Sequence, residues 1–227
     1  MYTRNHIQRI LIIVARRNFV PMSIQRKIKH VVELSGGVIF ESIILPYMKV
    51  QKGKCFIDIG ANIGIHTVRI GKEGIDVYAF EPSPKTYGIL CKNIKDFPNI
   101  EPFNYALGDK NTEGLFYVHE QSKSGFDGLH NVYKKKDVKE IKVKVRTLDS
   151  FDFKNIGLIK IDTEGNEYNI LKGAFKTLKK EKPHLIIEVH SPVYKNTKII
   201  TSLLSVLGYN VKHVHEKGRN QLFIIAD

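Results

Sequence analysis

The chain has 227 residues, 42% of them hydrophobic, which is enough to bury one sizeable core. Two cysteines are too few for a disulfide framework, and no stretch approaches the roughly 20 apolar residues of a membrane span. The sequence therefore predicts a cytoplasmic protein, with a net charge of +13 that favours anionic partners.

The basic residues concentrate at the N-terminus, where residues 1–54 hold ten Lys/Arg but only two acidic residues. Residues 6–20 carry apolar side chains at helical spacing beside arginines, which predicts a basic amphipathic helix, and 24–34 predicts a second one. We interpret 1–50 as a helical extension and 51–227 as the main domain. Residues 1–22 could contact a membrane surface, with peripheral attachment, or another anionic partner. They could equally pack on the main domain, form a homodimer, or remain a solvated helix.

From Cys55 onward, predicted strands and helices alternate, which indicates an α/β fold with a mostly parallel sheet and helices on both faces. Residues 115–119 and 141–145 alternate with period two and predict an antiparallel insertion. The strands predicted for the main sheet are Phe56–Ile59, Val77–Phe80, Ile100–Ala106, Leu158–Ile161, Leu185–Val189 and a closing hairpin of Val211–Val214 with Leu222–Ile225. The helices predicted between them are Ile65–Lys72, Pro84–Ile94, Asn166–Leu178 and Ile199–Leu207.

The turn after the first strand is glycine-rich and contains the pattern Asp58-x-Gly60-x-Asn62-x-Gly64. Glycines there allow a tight turn and a close approach of backbone to a ligand. A carboxylate before the turn does not suit the pyrophosphate of a dinucleotide, but it suits the amino group of an amino acid. The pattern predicts a cofactor site at the carboxyl end of a parallel strand.

A second acid, Glu81, ends the next predicted strand, one βαβ unit downstream. An acid in this position can accept hydrogen bonds from ribose hydroxyls. An aminoacyl group, a ribose and no phosphate together describe S-adenosylmethionine. The alternative is an ordinary strand-turn-helix with solvated acids.

The connection between Glu120 and Val138 is long and polar. Such loops in compact domains are often binding loops, so we interpret it as a substrate-covering loop. Its candidate contacts are Ser124, Asp127 and His130, and the alternative is an ordinary surface loop.

A second acidic motif follows the predicted strand 158–161 and contains Asp162, Glu164 and Glu167. Asp162 should stand at the mouth of the same crevice as Asp58, whereas Glu167 is expected to be structural at a helix N-terminus. Glu188 and His190 lie one strand away on one side of that strand. If Asp162, Glu188 and His190 converge, they could supply a general base; a divalent metal is a less favoured use of the same residues.

The chain resembles the FkbM family of S-adenosylmethionine-dependent methyltransferases from about residue 50 to the C-terminus. The motifs that carry the resemblance are Asp58-Ile-Gly60-Ala-Asn62-Ile-Gly64, Phe80-Glu81-Pro82, Asn104-Tyr-Ala106-Leu-Gly108-Asp109 and Lys160-Ile-Asp162-Thr-Glu164-Gly165-Asn-Glu167. Thr163 departs mildly from the family, which usually has valine there. The resemblance implies a Rossmann-like class I methyltransferase fold with a seven-stranded sheet, and O-methylation of sugar hydroxyls.

The resemblance also implies roles for individual residues. The ribose would contact Glu81, the adenine would border Asn104 to Ala106, and Asp162 and Glu164 would line the reaction pocket. The residues expected around the methionine part are Asp58, Gly60, Asn62 and Gly64. The predicted acceptor is a hydroxyl of a saccharide, glycoconjugate or related small molecule. The alternatives are an RNA methyltransferase, or a non-catalytic carrier- or membrane-associated protein with a methyltransferase shell.

Overall fold

The computed structural model describes residues 44–118, 128–129, 138–190, 197–215 and 221–227. The N-terminal helices at 6–20 and 24–34, and the contacts predicted for residues 1–22, lie outside the described residues. So do Ser124, Asp127 and His130 of the predicted substrate-covering loop. Within the described ranges, no helix is both long enough and apolar enough to cross a membrane.

In the described ranges, ten strands form two sheets. They are β1 (Cys55–Ile59), β2 (Val77–Phe80), β3 (Ile100–Phe103), β4 (Ala106–Leu107), β5 (Thr112–Val118), β6 (Lys139–Arg146), β7 (Ile156–Ile161), β8 (His184–His190), β9 (Val211–His215) and β10 (Gln221–Ala226). The main sheet has seven strands in the order β3-β2-β1-β7-β8-β10-β9. Neighbours pair in parallel except at β10, which is antiparallel to both β8 and β9. The predicted seven-stranded, mostly parallel sheet with a closing hairpin is confirmed.

Five α-helices lie among the described residues and connect these strands. They are α1 (Ile65–Gly71), α2 (Pro84–Ile94), α3 (Glu167–Gly173), α4 (Phe175–Glu181) and α5 (Thr197–Val206). The start of α2 follows from its sequence, because Pro84 suits the first helical turn and the Ser83 hydroxyl accepts a hydrogen bond from the backbone N–H of Thr86.

Helices cover both faces of the main sheet, as predicted. On one face, Ile70 of α1 and Leu90 of α2 pack in one cluster with Phe56 of β1. On the other face, residues of α3, α4 and α5 pack against Ile159 and Ile187. Ile44 and Met48 also join the first cluster, so the core includes residues that precede the expected domain boundary at 50.

Two predicted elements were wrong in their extent. The third strand ends at Phe103 rather than Ala106, because Ala106 pairs with Val145 in the second sheet. The helix predicted at 166–178 is two helices separated at Ala174, which has the non-helical angles φ −107° and ψ 7°. A Cβ on Gly173 would lie 1.9 Å from the carbonyl oxygen of Gly108, so this end of α3 sits directly on the chain after β4.

The predicted antiparallel insertion is confirmed and forms the second sheet, in the order β4-β6-β5. One face of it is apolar, with Phe116, Val143 and Val145 packed on Ala106. The two-residue strand β4, which the sequence did not predict, joins the insertion to the end of the main sheet.

Candidate active site

A cleft opens at the carboxyl ends of β1, β2 and β7. Gly60 and Asn62 line it from the turn after β1, Glu81 from the end of β2, and Asp162 and Glu164 from the end of β7. Because β1 pairs with both β2 and β7, three motifs that are far apart in sequence meet at one edge of the sheet. Asp162 lines the same cleft as Gly60 and Asn62 of the first motif, but Asp58, beside which it was predicted to stand, is not a lining residue.

Gly60 allows the close approach of two strand ends. Its φ is 80°, and a Cβ at this position would lie 1.9 Å from the carbonyl oxygen of Asp162. The Gly60 N–H donates to the carbonyl of Phe80 (3.0 Å), and the Asp162 N–H donates to that of Ile59 (3.0 Å). Backbone hydrogen bonds therefore hold the turn after β1 against both β2 and β7, and any residue larger than glycine at position 60 would clash with the end of β7.

The Glu81 carboxylate is held by two backbone N–H groups. Its Oε1 accepts from Ser83 N (2.9 Å) and its Oε2 accepts from Asn62 N (3.0 Å). Asn62 adopts a left-handed backbone conformation with φ 51°, which directs its N–H toward Glu81. These bonds fix the carboxylate at the edge of the cleft, and each carboxylate oxygen can accept more than one hydrogen bond.

Asp58 lies behind the cleft and does not line it. Its side chain is only 1% exposed, and its Oδ2 accepts a 2.6 Å hydrogen bond from the Thr67 hydroxyl of α1. Its Oδ1 is buried and has no hydrogen-bond partner among the described residues. The predicted contact of Asp58 with the methionine part of a cofactor stays a prediction.

Gly64 also stays outside the lining, and the structure gives it a packing role. It has φ 90° at the start of α1, and a Cβ there would lie 2.6 Å from Cδ1 of Leu90 in α2. The absent side chain makes room for that helix rather than for a ligand.

The segment after β3 contributes in two ways. Ala106 lines the cleft, as does its neighbour Tyr105. Asn104 does not; its Nδ2 donates to the carbonyl oxygens of Glu81 (2.8 Å) and Pro82 (3.0 Å) and so fixes the chain after β2. The sequence analysis gave Tyr105 no role of its own, and its position between two assigned residues was the only signal for it.

Asp162 forms an ion pair with Lys160, whose Nζ lies 2.9 Å from Oδ2. The lysine side chain is 3% exposed and the aspartate side chain 25%, so a buried ammonium holds a carboxylate that faces the cleft. Lys160 opens the second acidic motif in the sequence but was assigned no role there. Period-two alternation, which places residues 160 and 162 on one face, was the signal for it.

The other acids of this region have different environments. Glu164 lines the cleft with a positive φ of 54° and 8% exposure. Glu167 accepts from the Gly165 N–H (2.8 Å) and braces the turn before α3, consistent with the structural role expected of it. Glu188 is buried at 7% exposure and does not line the cleft, and the side chain of His190 is not described. Of the described side chains, Asp162 lines the cleft and Glu188 does not, and the possible convergence of Asp162, Glu188 and His190 stays a prediction.

Two described residues of the 120–138 connection lie at the site. Gly128 exchanges hydrogen bonds with the backbone of Tyr117 (2.8 and 3.2 Å), and Leu129 lines the cleft beside Phe116. The sequence analysis did not single out any of these. Across the part of the chain that the structure describes, no group of three or more His, Cys, Asp or Glu side chains could hold a metal ion.

The strand order, the reversed strand β10 and the cleft with its glycine turn and its acid at the end of β2 define a class I methyltransferase fold. The family model of the methyltransferase FkbM domain matches residues 58–211. The chain therefore belongs to the FkbM methyltransferase family.

Three similar proteins illustrate the relationship. Hexuronic acid methyltransferase AglP from Haloferax volcanii is 29% identical over 176 residues, which cover 74% of this chain and 68% of the relative. Methyltransferase 1 from Beauveria bassiana is 26% identical over 141 residues, covering 52% of this chain and 57% of the relative. The crystal structure of an FkbM methyltransferase from Methylobacillus flagellatus has a TM-score of 0.59 at 19% identity, over 83% of this chain and 46% of that one, and shows the fold.

Proposed function

We propose that this FkbM-type methyltransferase transfers the methyl group of S-adenosylmethionine to a hydroxyl oxygen of a saccharide or glycoconjugate. The observation that carries the proposal is the cleft between Gly60, Glu81 and Asp162, in a chain of this family. The name of AglP supports a sugar as acceptor, because that relative is a hexuronic acid methyltransferase.

The cleft residues fit an aminoacyl nucleoside. Glu81 is preorganised to accept hydrogen bonds from ribose hydroxyls, since its two oxygens are held by backbone N–H groups. The side-chain oxygen of Asn62 is buried at the cleft and has no hydrogen-bond partner among the described residues, so it can accept one from a ligand. The backbone of Gly60 lines the cleft without a side chain that would occupy it.

The bound cofactor supplies a methyl group that is already activated on a sulfonium sulfur. The protein then has to align the acceptor and take up its proton. Asp162 is placed for this task, since its carboxylate lines the cleft and is positioned by Lys160. Glu188 is less suited because it is buried away from the lining.

The role of Asp162 can be tested by replacing it with asparagine. A positioned base typically contributes about 10²–10⁴-fold, so Asp162→Asn should lower the turnover by that order while affinity for S-adenosylhomocysteine stays within a few-fold. Thermal unfolding of the variant gives the necessary check on folding. Retention of full turnover by Asp162→Asn would remove it from the mechanism.

The acceptor class is tested by methyl transfer from labelled S-adenosylmethionine to three substrates: a uronic-acid oligosaccharide, a neutral oligosaccharide and a structured RNA. The proposal expects label in a saccharide. Label in RNA alone would favour the RNA methyltransferase. Cofactor binding without turnover on any of them would favour the non-catalytic shell.

A further inference from the structure

A second groove adjoins the cleft. Tyr87, Phe103 and Tyr105 line it together with Lys142 and Lys144 of β6. It shares Pro82 and Tyr105 with the lining of the first cleft, so the two are continuous at these residues. The adenine border predicted at Asn104 to Ala106 touches this groove at Asn104 and Tyr105, but no role has been assigned to its lysines or to Tyr87.

Successive side chains of β6 point to opposite faces, so over residues 141–146 its apolar residues lie on one face and its basic residues on the other. Val143 and Val145 are buried in the small core of the second sheet, whereas Lys142 and Lys144 are exposed on the opposite face. Arg146 follows on that face, and its guanidinium carbon lies 5.5 Å from the centre of the Tyr105 ring. Three cations thus follow one strand face toward the residue that the two clefts share.

Lys142 and Lys144 form no ion pair with another described residue, although Glu140 and Glu113 lie on the same face of the sheet. Glu113 stands opposite Lys144 in the β5–β6 register, yet none of the ion pairs found among the described residues includes Lys142 or Lys144. Their positive field is therefore directed at solvent and at whatever occupies the groove.

The charge of the groove is opposite to that of the cleft. Glu81, Asp162 and Glu164 make the cleft acidic, which suits a cationic sulfonium. Lysines would repel such a ligand, so the groove suits a different one. The aromatic rings can pack on the C–H face of a sugar ring, and the two lysines can bind an anionic substituent of that sugar.

We propose that this groove binds an acidic saccharide unit of the acceptor, carrying a carboxylate or a phosphate, while the unit to be methylated enters the cleft. This assignment rests on the proposed function, and it narrows the acceptor from saccharides in general to anionic ones. RNA is less suited to it, because a nucleic-acid interface normally neutralises many phosphates, and the described groove offers two lysines, with Arg146 next to its lining residue Tyr105.

The test is titration calorimetry of the full chain with trigalacturonic acid, glucose 1-phosphate and neutral maltotriose. The variant is Lys142→Ala/Lys144→Ala. The matched control is Lys176→Ala/Lys179→Ala, which removes the same charge from exposed positions in α4. We expect an anionic sugar to bind, the groove variant to lose about tenfold or more in affinity, and the control to stay within about twofold. Maltotriose should bind more weakly than the anionic sugars.

Three results would overturn the inference: neither anionic sugar binds, the groove variant binds like the control, or maltotriose binds equally well. A short single-stranded RNA that outcompetes both sugars and depends on Lys142 and Lys144 would reassign the groove to RNA. Titration of the same samples with S-adenosylhomocysteine separates the two proposals, because its binding should be identical in wild type and both variants. A folded wild type that does not bind S-adenosylhomocysteine would instead count against the proposed function.

Discussion

Replacing Gly60 with alanine should destabilise the protein much more than replacing Gly74 with alanine. Both glycines have a positive φ, 80° at Gly60 and 75° at Gly74. A Cβ at Gly74 would meet nothing within 4 Å, whereas one at Gly60 would lie 1.9 Å from the carbonyl oxygen of Asp162. The two substitutions therefore share the backbone strain and differ in the clash.

The sizes of the two effects can be worked out from these contacts. Left-handed backbone costs alanine about 1–2 kcal/mol, and the lower entropy of the unfolded alanine chain offsets about 0.4–1 kcal/mol of that. Gly74→Ala should therefore lower the free energy of unfolding by about 0–1.6 kcal/mol. Gly60→Ala adds a clash with backbone that cannot rotate away, for which overpacking data suggest about 1–3 kcal/mol more.

Equilibrium urea denaturation of both variants measures the difference. Gly60→Ala should also weaken the binding of S-adenosylhomocysteine, because relief of the clash has to separate the ends of β1 and β7 at the cleft. Two variants whose free energies of unfolding agree within about 0.5 kcal/mol would refute the reasoning, since the close backbone approach would then be absent.

Three further predictions concern other residues. Burial raises the pKa of the Cys55 thiol to about 11, so iodoacetamide at about pH 8 should label Cys91 in the native protein and Cys55 only after unfolding, as mass spectrometry can show. The hydrogen bond and the charge of Lys172 lower the pKa of Asp109. This exposed ion pair therefore stabilises the folded protein at a pH above the ordinary aspartate pKa, and the stabilisation is lost as the pH falls through the lowered pKa of Asp109. Asp109→Asn should therefore lower the melting temperature slightly near neutral pH, with no difference from wild type in strong acid or high salt. Lys160→Met should lower the turnover more than it weakens the binding of S-adenosylhomocysteine, because Lys160 positions the proposed base Asp162 and is not itself a proposed cofactor contact. Equal losses of turnover and of binding would argue for a general structural role.

Much of the fold could be predicted because its signals are local. Apolar strands that alternate with helices predicted the parallel sheet, and the closing hairpin predicted at Val211–Val214 and Leu222–Ile225 corresponds to β9 and β10. The extent of β3 could not be predicted, because Ala106 continues the apolar pattern and its departure depends on pairing with Val145 far along the chain. The break at Ala174 likewise depends on the contact between Gly173 and Gly108.

At the site too, local motifs predicted some features, while others depend on contacts between distant parts of the chain. Sequence motifs indicated Glu81, Gly60 and Asp162, which do line one cleft. They did not distinguish a ligand-facing glycine from a packing one, since the contact of Gly64 with Leu90 depends on how α1 and α2 meet. The groove beside Lys142 was also hidden, because it forms where the insertion meets the end of β3.

The most direct test of the account is calorimetric titration of the folded protein with S-adenosylhomocysteine, for wild type, Glu81→Ala and the control Glu101→Ala. Glu101 is an exposed acid on β3, so its replacement removes the same charge away from the cleft. We expect one binding site in wild type and control. We also expect a loss of about tenfold or more in Glu81→Ala, since hydrogen bonds to a charged group contribute about 1.5–3 kcal/mol. A folded wild type that does not bind, or a Glu81→Ala variant that binds as tightly as the control, would contradict the account.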